Sequence, residues 1–307
     1  MIKKIIIFAF TCMLFLVCAK AKTEKKYLAL GDSITAGYLL DDPDKDSFAS
    51  LFSKKYGFTL TNEAVSGDES GELLEKLDNY DIASYDVITL CIGANDVLGE
   101  FIDKYMELSK TEMIEFLANI DSNEEFNNKI NENLEVLDKN LEKIMSIVKS
   151  GDAQIYMMNI YNPYRNNVIT MLEPIAEKYI SKINNVIEKY AKTDGVYFID
   201  LYKTFKKTNK TVINSQSLST MHDPHPNING HKLIANKLID SYYKNNPTKE
   251  NIIIAAIIGV VVVILEIVEM IYTLKKYVVK PIINDNDRPN ITENKDNTNN
   301  SSRFIRS

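Results

Sequence analysis

The chain has 307 residues, 45% of them hydrophobic and 25% charged, a composition that buries a substantial core and excludes a wholly disordered protein. Its net charge of −6 hides a more acidic middle, because residues 22–251 hold 26 Lys and Arg against 36 Asp and Glu, a balance of −10. Such a body argues against a nucleic-acid partner, since phosphate binding relies on clustered basic side chains.

In chain order, Lys3 and Lys4 precede the apolar run from Ile5 to Cys18, and Ala19-Lys20-Ala21 places small residues two apart. That pattern predicts a secretory signal peptide over 1–21, cleaved after Ala21. Lipidation at Cys18 is the alternative, disfavoured by the bulky Val17 before it, and the segment can also be retained. A main domain is expected over 22–248.

Within that domain short apolar runs alternate with helical spacing. Strands are expected at Lys26–Leu30, Phe58–Val65, Asp86–Ile92, Ala153–Tyr161 and Val196–Leu201. Helices are expected at Ser47–Tyr56 and Ser70–Leu77, at least two more in an insertion over 97–150, and others over 166–192 and after Asn229. The first helix of the insertion is placed as a cap over the site, and Asn227 or Asn229 as the N-cap of the last helix. Strands separated by helices imply right-handed crossovers, hence a five-stranded parallel sheet with helices on both faces and a site at the strands' C-terminal ends.

Ile252–Leu274 is about 35 Å long as a helix, enough to span a bilayer core. Lys275, Lys276 and Lys280 follow it, so the positive-inside rule sets the 275–307 tail in the cytoplasm and the body outside. Glu266 and Glu269 lie inside this span, where snorkelling, protonation or a helix partner lowers their cost. Beyond Lys280 the composition is Asn-rich with mixed charge and reads as disordered. Of three cysteines, Cys12 and Cys18 fall in the signal segment, leaving Cys91 in the body as an expected core residue with no disulfide partner.

Four separated stretches end a strand or open a helix with a glycine or polar residue. They are Gly31-Asp32-Ser33, Asn62-Glu63-Ala64-Val65-Ser66-Gly67, Gly93-Ala94-Asn95-Asp96 and Asp223-Pro224-His225-Pro226. Each has a structural reading of its own: Ser33 or Asn95 as a cap, Gly67 as a turn residue, His225 as a loop residue. Taken together, in order, they resemble the SGNH hydrolases, the GDSL-type lipase and acylhydrolase superfamily, with Ser33, Gly67, Asn95 and His225 matching its four blocks over residues 26–243. The resemblance implies a three-layer α/β/α flavodoxin-like fold and a serine esterase. In it His225 activates Ser33, while the Ser33 and Gly67 backbone N–H groups and the Asn95 amide form the oxyanion hole.

One block departs from the pattern: three residues before His225, where the family usually has an aspartate, stands His222, and Asp223 is two before. Asp223 is nonetheless the nearest carboxylate able to orient the imidazole, with a backbone carbonyl as the alternative. His222 and His231 are read as surface or loop residues, and Asp32 and Asp96 as turn-holding hydrogen-bond acceptors. No metal or organic cofactor is implied. The expected partners are an ester substrate, a lipid or an acylated envelope sugar, and the membrane through the C-terminal helix. A non-catalytic glycan- or partner-binding module, or a signalling protein reporting through its span and tail, is the alternative from another class.

Overall fold

The computed structural model describes residues 24–165, 171–216, 223–247 and 249–278. The expected signal peptide with Cys12 and Cys18, His222 and the tail beyond 278 lie outside the described residues. The chain forms two units, 1–247 and 248–307.

The first unit begins with β1 (Lys26–Gly31), followed by α1 (Ser33–Ala36), α2 (Pro43–Asp46) and α3 (Phe48–Tyr56). Next come β2 (Thr59–Asn62), α4 (Ser70–Leu77), β3 (Val87–Cys91), α5 (Asn95–Glu107), α6 (Lys110–Ala118) and α7 (Glu124–Val148). The unit closes with β4 (Gln154–Met158), α8 (Leu172–Ala191), β5 (Val196–Ile199), α9 (Leu201–Lys207) and α10 (Ile228–Asn245). All five strands pair in parallel in the order β2-β1-β3-β4-β5. This is the α/β architecture expected from the alternation of strand and helix patterns.

Several helices start where a side chain satisfies their orphan N–H groups. Ser47 accepts from Ser50 N at 3.2 Å, Asn227 from Asn229 N at 2.9 Å, and Ser109 with Glu112 forms a capping box. The insertion holds three helices, α5 to α7, one more than the minimum expected, because the Ser109 cap restarts the chain between runs that share one helical period. Its helices pack on one another and on α8: Phe101 of α5 meets Phe126 of α7 and Tyr179 of α8, each at 5.0 Å, and Phe116 of α6, the helix expected as a cap, meets Phe126 at 5.0 Å.

Strands β1 and β3 are almost wholly buried because helices cover both faces, which is why they read as continuous apolar runs. Their side chains alternate between two cores. Leu28, Leu30, Ile88 and Leu90 face α4, α7 and α8, whereas Tyr27, Ala29, Val87 and Cys91 face α3 and α10. Each buried Leu or Ile contributes about 1.5–3 kcal/mol. Cys91 is fully buried and free, as expected.

The sheet order reverses at β1: the chain moves outward to β2 and then crosses back to β3. The crevice beyond the C-terminal ends of β1 and β3 is the switch point where α/β proteins bind ligands. Register puts Gly31 opposite Cys91, so the residues after β1 and after β3 emerge side by side.

Among the described residues the second unit holds one helix, α11 (Lys249–Val278), whose segment Ile253–Leu274 is long and apolar enough to cross a membrane.

Candidate active site

Ser33 is the first residue of α1, and it is nearly buried. Its turn is held by Asp32, whose Oδ1 accepts from Ile34 N at 3.0 Å, so the N-cap is Asp32 and not Ser33. The other carboxylate oxygen of Asp32 is buried without a hydrogen-bond partner. Burial lifts the Asp32 carboxyl to about 7, with the nearby Asp96 and Asp68 carboxylates adding smaller pushes and the Ile34 hydrogen bond opposing them.

The imidazole of His225 lies between this serine and Asp223. Ser33 Oγ is 2.9 Å from His225 Nε2, and His225 Nδ1 is 2.6 Å from Asp223 Oδ1. A carboxylate only accepts, so Nδ1 carries the proton and Nε2 is left to accept from the serine hydroxyl. Asp223 Oδ1 also accepts from His225 N at 2.9 Å, and Oδ2 accepts from Asn214 Nδ2 at 2.7 Å. The one-residue displacement from the family spacing therefore does not separate the carboxylate from the imidazole.

The loop around His225 is pinned from several sides. Asn214 N donates to His225 O at 3.0 Å, Asn227 N donates to Val212 O at 3.0 Å, and Tyr161 Oη donates to Pro224 O at 2.9 Å. Gly230 comes so close to the segment at Val212 that a Cβ would stand 2.2 Å from Val212 O, which explains the glycine in the first turn of α10.

Gly67 and Asn95 are joined by a second network. Gly67 has φ 93°, a conformation that favours glycine, and open space where a Cβ would be, so backbone shape rather than crowding selects it. Asn95 opens α5 and donates one Nδ2 hydrogen to Asp68 O at 2.9 Å, leaving its second hydrogen for another acceptor. Asp96 accepts from Ser70 N at 3.0 Å and from the Ser70 hydroxyl, which in turn accepts from Asn140 Nδ2 at 2.9 Å. The start of α4, the start of α5 and the middle of α7 are thus tied together beside the Gly67 turn. Burial lifts the Asp96 carboxyl above its ordinary value, against the lowering effect of the Ser70 hydrogen bonds.

Sequence reasoning missed Asn214, Ser70, Asn140 and Tyr38, whose ring centroid is 4.8 Å from that of His225. Of the four only Tyr38 stands in a motif stretch, at the end of the run from Gly31, and nothing in its spacing gives it a role.

His231 corrects the expectation of a surface or loop residue. It is fully buried in the first turn of α10, stacks on Phe48 and accepts from Phe48 N at 3.3 Å through Nδ1. The polar Asn-rich stretch before it reads as loop, whereas packing of α10 on α3 takes this side chain inward. Burial pushes its imidazole down to about 4 from an ordinary 6.5, with a smaller push from His225. The unfolded chain binds a proton here near 6.5, so this contribution to stability is present above 6.5 and is lost as pH falls toward 4, about 3 kcal/mol in all. Asp32 has the opposite sign, being most stabilising below its ordinary 3.8 and losing that contribution as pH rises to about 7. Urea unfolding of His231→Asn, which keeps an acceptor for Phe48 N, is expected to show stability rising on acidification from about pH 6.5 to about 4.5 relative to the parent. Parallel curves for the two proteins would remove His231 from the account.

Comparison with known proteins returns a single theme. A family model described as GDSL-like Lipase/Acylhydrolase matches residues 27–238. The chain is 28% identical over 253 residues to the uncharacterized protein YpmR of Bacillus subtilis, covering 75% of this chain and 86% of that one. It is 26% identical over 227 residues to the spore germination lipase LipC of Bacillus licheniformis, covering 69% of this chain and 94% of the relative. Among solved structures, the lipase Lip_vut3 from a goat rumen metagenome aligns with 25% identity and a TM-score of 0.52, over 71% of this chain and 98% of that one.

Proposed function

Because the chain belongs to the GDSL-like lipase and acylhydrolase family, we propose that it is a serine ester hydrolase acting through an acyl-Ser33 intermediate. The observation that carries this reading is the hydrogen-bonded line from Ser33 Oγ to His225 Nε2 at 2.9 Å and from His225 Nδ1 to Asp223 Oδ1 at 2.6 Å.

Ser33 Oγ attacks the ester carbonyl carbon as its proton passes to His225 Nε2. The carbonyl oxygen becomes an oxyanion, met by the Ser33 and Gly67 N–H groups and the second Asn95 Nδ2 hydrogen, each worth about 2.7–4 kcal/mol of barrier. The bond from carbonyl carbon to alkoxy oxygen then breaks, His225 returns its proton to the departing alcohol, and Ser33 is left acylated. Water repeats the sequence on the acyl carbon and releases the carboxylic acid. The Ser70–Asp96–Asn140 network supports this reading because it holds the Asn95 and Gly67 turns rigid before the substrate arrives.

In this reading the protein is anchored by Ile253–Leu274, with the hydrolase outside the membrane and the lysines after the span on the cytoplasmic side. Lipid or acylated envelope esters are the substrates such an anchor brings within reach, and lipase LipC is a relative whose name points the same way. The test is reaction of the membrane-extracted protein with a fluorophosphonate probe beside Ser33→Ala, followed by assay on esters of graded acyl length. Labelling that depends on Ser33, with turnover on at least one ester, supports the proposal. A parent protein that neither labels nor turns over defeats it.

A further inference from the structure

The turn that follows α1 is unusual. Leu40 N donates to Gly37 O at 3.1 Å, closing a turn over Tyr38 and Leu39, and Leu39 has φ 65°. Among the described residues it is the only non-glycine with a positive φ. That conformation is left to glycine or asparagine in most turns, and where a bulky side chain holds it the surroundings over-determine it, as happens at functional sites. The side chain retained there is 58% exposed, and Tyr38 beside it is 47% exposed. An exposed leucine in a strained turn does nothing for the core.

The turn is fastened to the reacting groups. Tyr38 N donates to Ser33 O at 3.0 Å, and its ring stands against the imidazole, 4.8 Å between centroids and tilted by 58°. This location identifies which half of an ester it would meet. The proton taken by His225 Nε2 must be delivered to the departing alkoxy oxygen, so the alcohol lies on the imidazole's side, away from the oxyanion donors at Gly67 and Asn95. Two surface cavities of about 360 and 370 Å³ lie elsewhere, one beside Arg165 and Phe205, the other beside Lys54 and Ile239. Neither is lined by Ser33 or His225.

We propose that Tyr38 and Leu39 form the subsite for the alcohol half of the ester, and that this alcohol is apolar, aliphatic or aromatic rather than a sugar, which selects lipid over acylated-sugar esters among the substrates named above. The proposal rests on the serine hydrolase reading above and adds the class of leaving group. The aromatic face of Tyr38 and the Leu39 side chain offer apolar contact only at their exposed ends, apart from one phenol hydroxyl. A sugar alcohol would need several polar groups to replace its lost hydration. An apolar alcohol gains contact area in the bound and transition states as the C–O bond stretches along the imidazole.

The test holds the acyl group constant and varies the alcohol: ethyl, butyl and benzyl acetate, with 6-O-acetylglucose as the sugar ester. The constant kcat/KM reports steps up to acylation, so a shared acetyl-enzyme cannot mask differences among the alcohols. In the parent, benzyl acetate is expected to exceed both ethyl acetate and acetylglucose by about tenfold or more in kcat/KM. In Tyr38→Ala that benzyl-to-ethyl ratio is expected to shrink by about tenfold, and in Leu39→Gly by several-fold. Leu39→Gly also relieves the backbone, so its folding is not in question. Equal losses on every acetate would overturn the subsite and leave Tyr38 only as a support for His225. Preference of the parent for acetylglucose would overturn it as well. Failure of the hydrolase reading looks different, with no turnover on any acetate and no fluorophosphonate labelling, and it overturns both proposals together.

Discussion

Replacement of Ser33 by alanine is expected to lower kcat by roughly 10⁴- to 10⁶-fold and to abolish covalent labelling by a fluorophosphonate, with folding essentially unchanged. The size follows from the arrangement. Ser33 Oγ is the atom 2.9 Å from His225 Nε2, so on the proposed mechanism its removal eliminates both the nucleophile and the group whose proton the imidazole takes. Any remaining rate comes from water attacking a carbonyl held by the oxyanion donors, which survive in the variant because the Ser33 contribution is a backbone N–H. Thermal unfolding should show little change, since the hydroxyl adds no packing to either core. A variant that keeps more than about a tenth of the parent activity would rule out Ser33 as the nucleophile.

Asp223→Asn is expected to cost about 10⁴ in kcat with little change in KM. The reason is an accounting of donors. Asp223 Oδ1 receives His225 Nδ1 and His225 N, while Oδ2 receives Asn214 Nδ2, three donors on two oxygens. An asparagine has one oxygen. If that oxygen faces Asn214, its NH₂ group confronts the imidazole, Nδ1 must become an acceptor, and Nε2 takes the proton that prevents it from accepting from Ser33. If the amide turns the other way, its NH₂ group meets the Asn214 NH₂ group, and the pair is satisfied only after the Asn214 amide flips away from the orientation it holds toward Asp223. The first orientation sets a donor where the imidazole needs an acceptor. A companion change, Asn214→Asp with Asp223→Asn, restores an acceptor opposite the new amide NH₂ and lets the amide oxygen face His225. Partial recovery in the double variant is therefore expected. A loss below about tenfold for Asp223→Asn alone would show that something other than this carboxylate orients His225.

Much of this chain is readable from its residues alone. Periodicity separates strands from helices because buried parallel strands are short apolar runs while the crossover helices carry apolar stripes, and the five-stranded α/β sheet follows. Four local motifs single out Ser33, Gly67, Asn95, Asp223 and His225, and the structure gathers the first and the last two into one hydrogen-bonded line. Strand ends are less legible. The run Phe58–Val65 contributes only Thr59–Asn62 as regular strand, although Glu63 N and Val65 N still donate to Ala29 O and Gly31 O of β1 at 3.0 and 3.3 Å. The number of helices in the insertion is hard to read as well, since a single N-cap at Ser109 ends one helix and begins another within a continuous period.

What the sequence alone determined is whatever depends on local periodicity and on residue type at short spacing: the parallel α/β sheet, a span-length apolar helix near the C-terminus, and the local motifs that hold Ser33, Gly67, Asn95 and His225. What only the tertiary structure decided depends on contacts between distant segments. The nine-residue separation of Asn214 from Asp223, the twenty-six of Ser70 from Asp96 and the burial of His231 against Phe48 leave no trace in any local pattern. The position of Asp223 relative to His225 is the clearest case. Spacing along the chain makes the pair suspect by one residue, whereas the turn at Pro224, held by Tyr161 and Asn214, brings carboxylate and imidazole within 2.6 Å because loop conformation, not residue count, sets the distance.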